Sequence, residues 1–189
     1  SSVSLDSLPL IRNGDNIPLY GNKSLTYNLS DLSSLGITSS NDISGIDTSY
    51  YENTDLSEIY DTVNKYASMY DVDPALVLAV IKAESNFDAN ATSGAGAIGL
   101  MQVMDFNLES LGVVNGYDID ENIRAGVSIL KGYLDDCNGD IAMALMAYNA
   151  GPGTMMNRGV ISSEHLYKMP LETQNYVPKV LTYYDEYNR

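Results

Sequence analysis

The chain has 189 residues, of which 25 are acidic and 10 basic, and its net charge is -15. That charge argues against a nucleic-acid ligand, because phosphate binding needs a basic stripe, and against adhesion to anionic lipid surfaces. The single cysteine, Cys137, excludes an internal disulfide, and one histidine leaves little scope for a metal site. No apolar run approaches the roughly 20 residues of a membrane-spanning helix, so we expect no membrane-spanning segment.

Residues 1–55 differ in composition from the rest of the chain. They hold 12 serines and show no sustained apolar period, which is typical of a linker or an irregular arm. Their scattered leucines and isoleucines would allow such an arm to dock on a folded domain. We therefore predict an irregular N-terminal arm over residues 1–55 that packs on a domain formed by residues 56–189.

Helical patterns begin at the end of this arm. Asp55 and Glu58 have the spacing of a capping box, which predicts the start of a first helix. Asp73 followed by Pro74 predicts a second start, because aspartate caps helix N-termini and proline is favoured at the first helical position. Both helices would then present apolar residues at helical spacing.

Further start signals follow a Gly-rich turn at residues 94–96. The turn precedes a short helix that we predict over residues 98–111. Asp120 or Glu121 is predicted to open a fourth helix, since acidic residues are enriched in the first turn.

The C-terminal third of the domain is predicted to hold two more helices. A turn at residues 138–140 caps a helix over 141–148, and the Gly-Pro-Gly sequence at 151–153 ends it. A last helix within residues 172–187 contains Pro178, which must start or kink it. Strand signals are weak, so the predicted fold class is mainly α with little or no β structure.

Glu84 is the unusual member of the second predicted helix. It lies four residues after Val80 and seven after Val77, so it shares their apolar face. A carboxylate on that face costs free energy unless it is paired or protonated, and no basic residue stands at a helical spacing that reaches it. Burial would then raise its pKa toward the working pH of a general acid. The alternative is a glutamate at a helix end that turns to solvent.

Glu84 opens the first of four separated motifs. They are residues 84–87 (ESNF), 93–104 (SGAGAIGLMQVM), 147–153 (AYNAGPG) and 172–177 (ETQNYV). In this order they resemble the soluble lytic transglycosylase family of peptidoglycan-cleaving enzymes, which shares a lysozyme-like fold with goose-type lysozyme. The resemblance covers residues 56–189 and implies a lysozyme-like helical domain.

The resemblance also implies roles for individual residues. Glu84 matches the catalytic glutamic acid of the family. Tyr148 and Asn149 match the pair that orients this glutamate and contacts sugar, and Tyr176 matches a late tyrosine that closes the site. The residues that match positions lining or flanking the sugar-binding cleft are Ser93, Gln102 and Met104.

Most glycosidases use two carboxylates, and the acids nearest to Glu84 and to the Gly-rich motif are Asp88 and Asp105. Neither matches a second catalytic group of the family, so the resemblance implies a one-glutamate mechanism without metal or organic cofactor. Glu84 would protonate the MurNAc–GlcNAc bond and then accept the proton of the MurNAc C6 hydroxyl, which leaves a 1,6-anhydro-MurNAc end. One departure from the family is Asp105, which stands where a proline usually follows Met104; it concerns the shape of that loop.

Three other interpretations remain open from the sequence. A goose-type muramidase would hydrolyse the same bond with a second carboxylate. A non-catalytic peptidoglycan-binding envelope module would keep the fold without turnover, and a regulated enzyme would use its arm to block or shape the cleft. In each case the expected partner is the peptidoglycan glycan strand, the location is extracytoplasmic (cell wall or secreted), and we expect a monomer.

Overall fold

A computed structural model describes residues 54–188, with side chains described from Leu56 onward. This part of the chain is a helical domain with one short antiparallel hairpin. The α-helices are α1 Thr54–Tyr70, α2 Pro74–Ser85, α3 Asp105–Ser110, α4 Ile119–Asp136, α5 Ile141–Ala150, α6 Pro152–Asn157 and α7 Leu171–Tyr187. A 3-10 helix covers Ser163–Lys168, and the strands are β1 Ala97–Ile98 and β2 Val103–Met104. The predicted mainly α fold with little β structure is confirmed, whereas the arm predicted over residues 1–55 and its packing lie outside the described residues.

Helix α2 forms the centre of the core. Asp73 caps it as predicted, since its Oδ1 accepts a hydrogen bond from the Ala75 N–H at 2.9 Å, and Pro74 occupies the first turn. All residues from Ala75 to Ile81 are buried, because α1 and α7 pack against this helix. An apolar helix surrounded in this way is typical of a domain centre.

The other predicted helix starts have mixed outcomes. Helix α4 begins at Ile119, and its cap is Asp118, whose Oδ1 accepts from the Glu121 N–H at 2.9 Å. The prediction of Asp120 or Glu121 as the opening residue is therefore wrong: the extended backbone that a cap needs occurs at Asp118. The predicted cap of α5 is confirmed, because Asp140 accepts from the Met143 N–H.

The helix predicted over residues 98–111 is wrong in its first half. Residues 97–104 form the hairpin, in which Ala97 pairs with Met104 and Ile98 with Val103. Gly99 and Gln102 adopt left-handed backbone conformations, with φ of +77° and +48°, which an α-helix does not contain. The helix therefore starts only at Asp105.

The C-terminal elements position the last motif. Gly151 ends α5 as predicted, although Pro152 then opens the short helix α6. Pro178 lies inside α7 and does not start it, because the helix begins seven residues earlier at Leu171. Among the described helices, none combines the length and the hydrophobicity that a membrane crossing requires.

Candidate active site

Glu84 lies in the last turn of α2 and is half-buried. Burial raises the pKa of its carboxyl from the ordinary 4.5 to about 7. A polar contact with Tyr176 and the charge of Lys179 lower the pKa again in part, while the charge of Glu172 raises it. Because a pKa near 7 lets the group exist in both forms at neutral pH, Glu84 can give and take a proton.

Two tyrosine hydroxyls flank this carboxyl. The Tyr148 hydroxyl donates to the Met101 carbonyl at 2.8 Å, and burial together with the charge of Glu84 raises the pKa of the phenol. Tyr176 is buried, and its hydroxyl has no hydrogen bond of regular geometry within the described part of the chain. Its pKa is raised by burial and by Glu84, so the pair is best described as a close polar contact. Helices α5 and α7 thus bring both tyrosines to the end of α2.

Asn149 stands next to Tyr148 and is held from α7. The Thr173 hydroxyl donates to its Oδ1 at 2.7 Å, and Thr173 itself is only 1% exposed. This bond fixes the orientation of the amide and leaves its nitrogen as a donor.

The predicted cleft residues of the Gly-rich motif support the loop between α2 and α3. The Ser93 Oγ accepts from the Ala97 N–H at 3.0 Å. The Gln102 Nε2 donates to the carbonyls of Ala91 (3.2 Å) and Gly99 (2.9 Å). Met104 is half-buried in β2. Their role in binding sugar stays a prediction, since the contacts of Ser93 and Gln102 are with the loop's own backbone.

The two acids that the sequence offered as a second carboxylate do not contribute to the Glu84 pKa shift. Asp88 and Asp105 are both exposed, and neither belongs to the described groups whose charge acts on Glu84. The acid whose charge raises the Glu84 pKa is Glu172 in the first turn of α7. In the sequence it was noted only as the first residue of the fourth motif.

Comparison with known proteins identifies the family of the chain. The model of the transglycosylase SLT domain matches residues 61–168. The chain belongs to the transglycosylase SLT domain family. This confirms the resemblance that the four motifs carry.

Curated relatives of the SLT domain are transglycosylases of bacteria and of a phage. The transglycosylase of Enterobacteria phage PRD1 is 42% identical over 92 residues, which cover 49% of this chain and 34% of that protein. Membrane-bound lytic murein transglycosylase F of Desulfosudis oleivorans is 34% identical over 106 residues, which cover 53% of this chain and 23% of that protein. The chain thus spans about a quarter to a third of the length of these relatives.

Solved structures extend the similarity to the fold. An inactive glutamate-to-glutamine mutant of the lytic transglycosylase Slt from Pseudomonas aeruginosa is 28% identical, with a TM-score of 0.61 over 68% of this chain and 23% of that one. The 70 kDa soluble lytic transglycosylase from Escherichia coli is 25% identical, with a TM-score of 0.59 over 68% of this chain and 24% of that one. The lysozyme-like helical fold expected from the motifs is confirmed.

Two residues that hold the loop beside Glu84 in place were assigned no individual role from the sequence. Asn122 is 1% exposed; its Oδ1 accepts from the Met101 N–H at 2.9 Å, and its Nδ2 donates to the carbonyls of Ile98 and Gly116. Ser85 donates to Leu100 O at 2.8 Å and so joins the end of α2 to the loop. The sequence feature that could have identified them is a polar residue on the inward face of an amphipathic helix, which is the pattern that Glu84 also shows.

Residues 54–188 contain no group of three or more histidine, cysteine, aspartate or glutamate side chains arranged to hold a metal ion.

Proposed function

We propose that this SLT domain cleaves peptidoglycan glycan strands as a lytic transglycosylase, with Glu84 acting first as acid and then as base. The observation that carries the proposal is one half-buried carboxyl with a pKa of about 7 between the hydroxyls of Tyr148 and Tyr176. The names of the relatives support the same reaction class.

The reaction needs one proton that leaves Glu84 and returns to it. Protonated Glu84 donates to the glycosidic oxygen, the bond from MurNAc C1 to that oxygen breaks, and the GlcNAc side leaves as an alcohol. The MurNAc N-acetyl group stabilises the oxocarbenium-like C1. The Glu84 carboxylate then accepts the C6 hydroxyl proton as O6 bonds to C1, so the product is a 1,6-anhydro ring and no water is consumed.

Two opposing effects on the Glu84 pKa suit the acid step and the base step of this reaction. Burial favours the protonated form that acts first, while Tyr176 favours the carboxylate that acts second. The amide of Asn149, fixed by Thr173, would donate to a sugar hydroxyl or acetamido group. Ser93, Gln102 and Met104 would line the cleft on the side of the loop.

Digestion of purified peptidoglycan tests the proposal. We expect the wild-type chain to release fragments with anhydro ends by mass spectrometry, and Glu84→Gln to release none while still folding, as a cooperative thermal transition would show. Glu109→Gln is the matched control, because Glu109 is exposed on α3. A wild-type chain that binds peptidoglycan but releases no fragment would instead support a non-catalytic envelope module.

Hydrolysis is the second candidate reaction, because Glu172 is a second carboxylate whose charge acts on Glu84 from α7. In that reaction Glu172 would activate a water molecule that attacks C1, and the products would carry ordinary reducing ends. Reducing ends that disappear in Glu172→Gln would support the hydrolase and contradict the transglycosylase.

The proposed substrate also sets the location and the partner. We propose that the chain acts outside the cytoplasm on glycan strands, and as a monomer, which light scattering tests directly. Comparing the full chain with one that starts at Asp55 tests whether the arm predicted over residues 1–55 packs on the domain and shapes the cleft.

A further inference from the structure

The carbonyl of Ala83 has an unusual partner. It lies in the last turn of α2, where backbone carbonyls lack N–H donors further along the helix. The backbone turns left-handed at Asn86 and Phe87, with φ of 51° and 67°, so the helical ladder ends there. The Nζ of Lys179, 96 residues away on α7, donates to this carbonyl at 2.9 Å.

This contact lies directly beside Glu84 in the backbone. The Ala83 carbonyl belongs to the peptide unit that links Ala83 to Glu84, so a bond to it restrains the backbone from which the Glu84 side chain departs. A cation at a helix C-terminus is also favoured by the helix dipole. We propose that Lys179 is a positioning residue for Glu84, which holds the end of α2 against α7 and keeps the carboxyl between its two tyrosines.

The proposal rests on the proposed function in that Glu84 is taken as the catalytic acid. The described groups that act electrostatically with Glu84 come from two helices, Tyr148 on α5 and Glu172, Tyr176 and Lys179 on α7. Lys179 is the cation among them. Among the described groups its removal leaves burial and Glu172, which both raise the Glu84 pKa, opposed by Tyr176.

Two substitutions and one control separate positioning from general stability. Lys179→Met removes the charge and the donor but keeps the apolar stem, and Lys179→Arg keeps both. Lys131→Met is the matched control, because Lys131 pairs with Asp135 at 2.8 Å on the surface of α4 and has no contact with Glu84 among the described interactions. All chains are full length, and thermal transitions establish that each one folds.

The first measurement is the carboxyl carbon shift of Glu84 against pH by NMR, assigned with Glu84→Gln. We expect the Glu84 midpoint to move to higher pH in Lys179→Met and to stay in place in Lys179→Arg and Lys131→Met. The second measurement is kcat and KM on peptidoglycan at pH 5. We expect kcat of Lys179→Met to fall about tenfold with KM nearly unchanged, and Lys179→Arg to recover most of it.

Each outcome decides the proposal. A Glu84 midpoint that is the same in Lys179→Met and Lys131→Met would overturn it, and so would a kcat loss that follows only a lowered thermal transition and is not rescued by arginine. The titration needs no turnover. A wild-type chain that releases no fragments would therefore refute the proposed function, and a Glu84 midpoint that shifts in Lys179→Met would still keep Lys179 as a residue that acts on Glu84.

Discussion

Two regions, called walls below, are bonded to the end of α2 that carries Glu84, and they are built differently. The hairpin wall, residues 91–104, is held by hydrogen bonds to its own backbone from Ser93, Gln102 and Asn122. The α7 wall, residues 172–179, acts on the carboxyl through the hydroxyl of Tyr176 and the charges of Glu172 and Lys179. We therefore expect the first wall to contribute mainly to stability and the second mainly to the proton affinity of Glu84. Substitutions in the two walls should therefore change different measurements.

The largest effect is expected from Asn122→Ala beneath the hairpin wall. The change leaves the Met101 N–H and the carbonyls of Ile98 and Gly116 without their partner in a buried place. Unpaired buried groups of this kind should lower the free energy of unfolding by about 4 kcal/mol in total. Urea denaturation at pH 7 measures it, with Asn64→Ala on the exposed face of α1 as control. Equal losses in both variants would mean that the wall does not depend on Asn122.

The next effect concerns Glu84 and pH. Folded Glu84 keeps its proton up to about pH 7, whereas an ordinary carboxyl loses it near 4.5. Between these values the unfolded state binds fewer protons, so the free energy of unfolding of the wild type falls as pH rises. Glu84→Gln removes this pH-dependent loss. Between pH 4 and pH 8 its free energy of unfolding should therefore rise by about 2 kcal/mol relative to that of the wild type, allowing for partial solvation of the carboxyl. Urea denaturation across this range checks it; a difference that does not vary with pH would contradict the buried carboxyl.

A smaller effect should follow Gly126→Ala, which presses on the hairpin wall from α4. A Cβ at this position would lie 2.6 Å from the Met101 Cβ, and Met101 is fully buried. We expect a loss of about 1 kcal/mol, since overpacking outweighs the better helix propensity of alanine. Gly132→Ala on the same helix meets open space and should be neutral or stabilising. Thermal denaturation of both compares them, and equal transitions would show that Met101 adapts freely.

The smallest change in stability is expected from Tyr176→Phe in the α7 wall. Tyr60→Phe is its matched control, because these two hydroxyls are the buried ones without a regular hydrogen bond among the described residues. Both variants should unfold within about 0.5 kcal/mol of the wild type. Only Tyr176→Phe should raise the Glu84 pKa, because the contact with Tyr176 lowers it. The alkaline limb of kcat/KM should then move to higher pH; an unmoved limb would separate Tyr176 from the proton chemistry.

Local sequence patterns predicted most of the helices and the odd position of Glu84. The caps at Asp73 and Asp140 follow from residue preferences within one turn. The inward face of α2 follows from the 3.6-residue period, and the upward direction of the Glu84 pKa follows from that face. The four motifs were sufficient for the family, because their order is a property of the chain itself.

Other features required the tertiary structure. The hairpin at residues 97–104 replaces the first half of the predicted helix because Asn122, which is 21 residues from Met101 in sequence, holds the loop in left-handed turns. The assignment of Glu172 as the acid that acts on Glu84, and of Lys179 as the donor to Ala83, depends on how α7 packs against α2. Helical periodicity relates residues three or four apart, and it carries no information on which side chains two distant helices bring together. The sequence therefore determined which carboxyl is unusual, and the packing of α7 and α4 decided which groups control it.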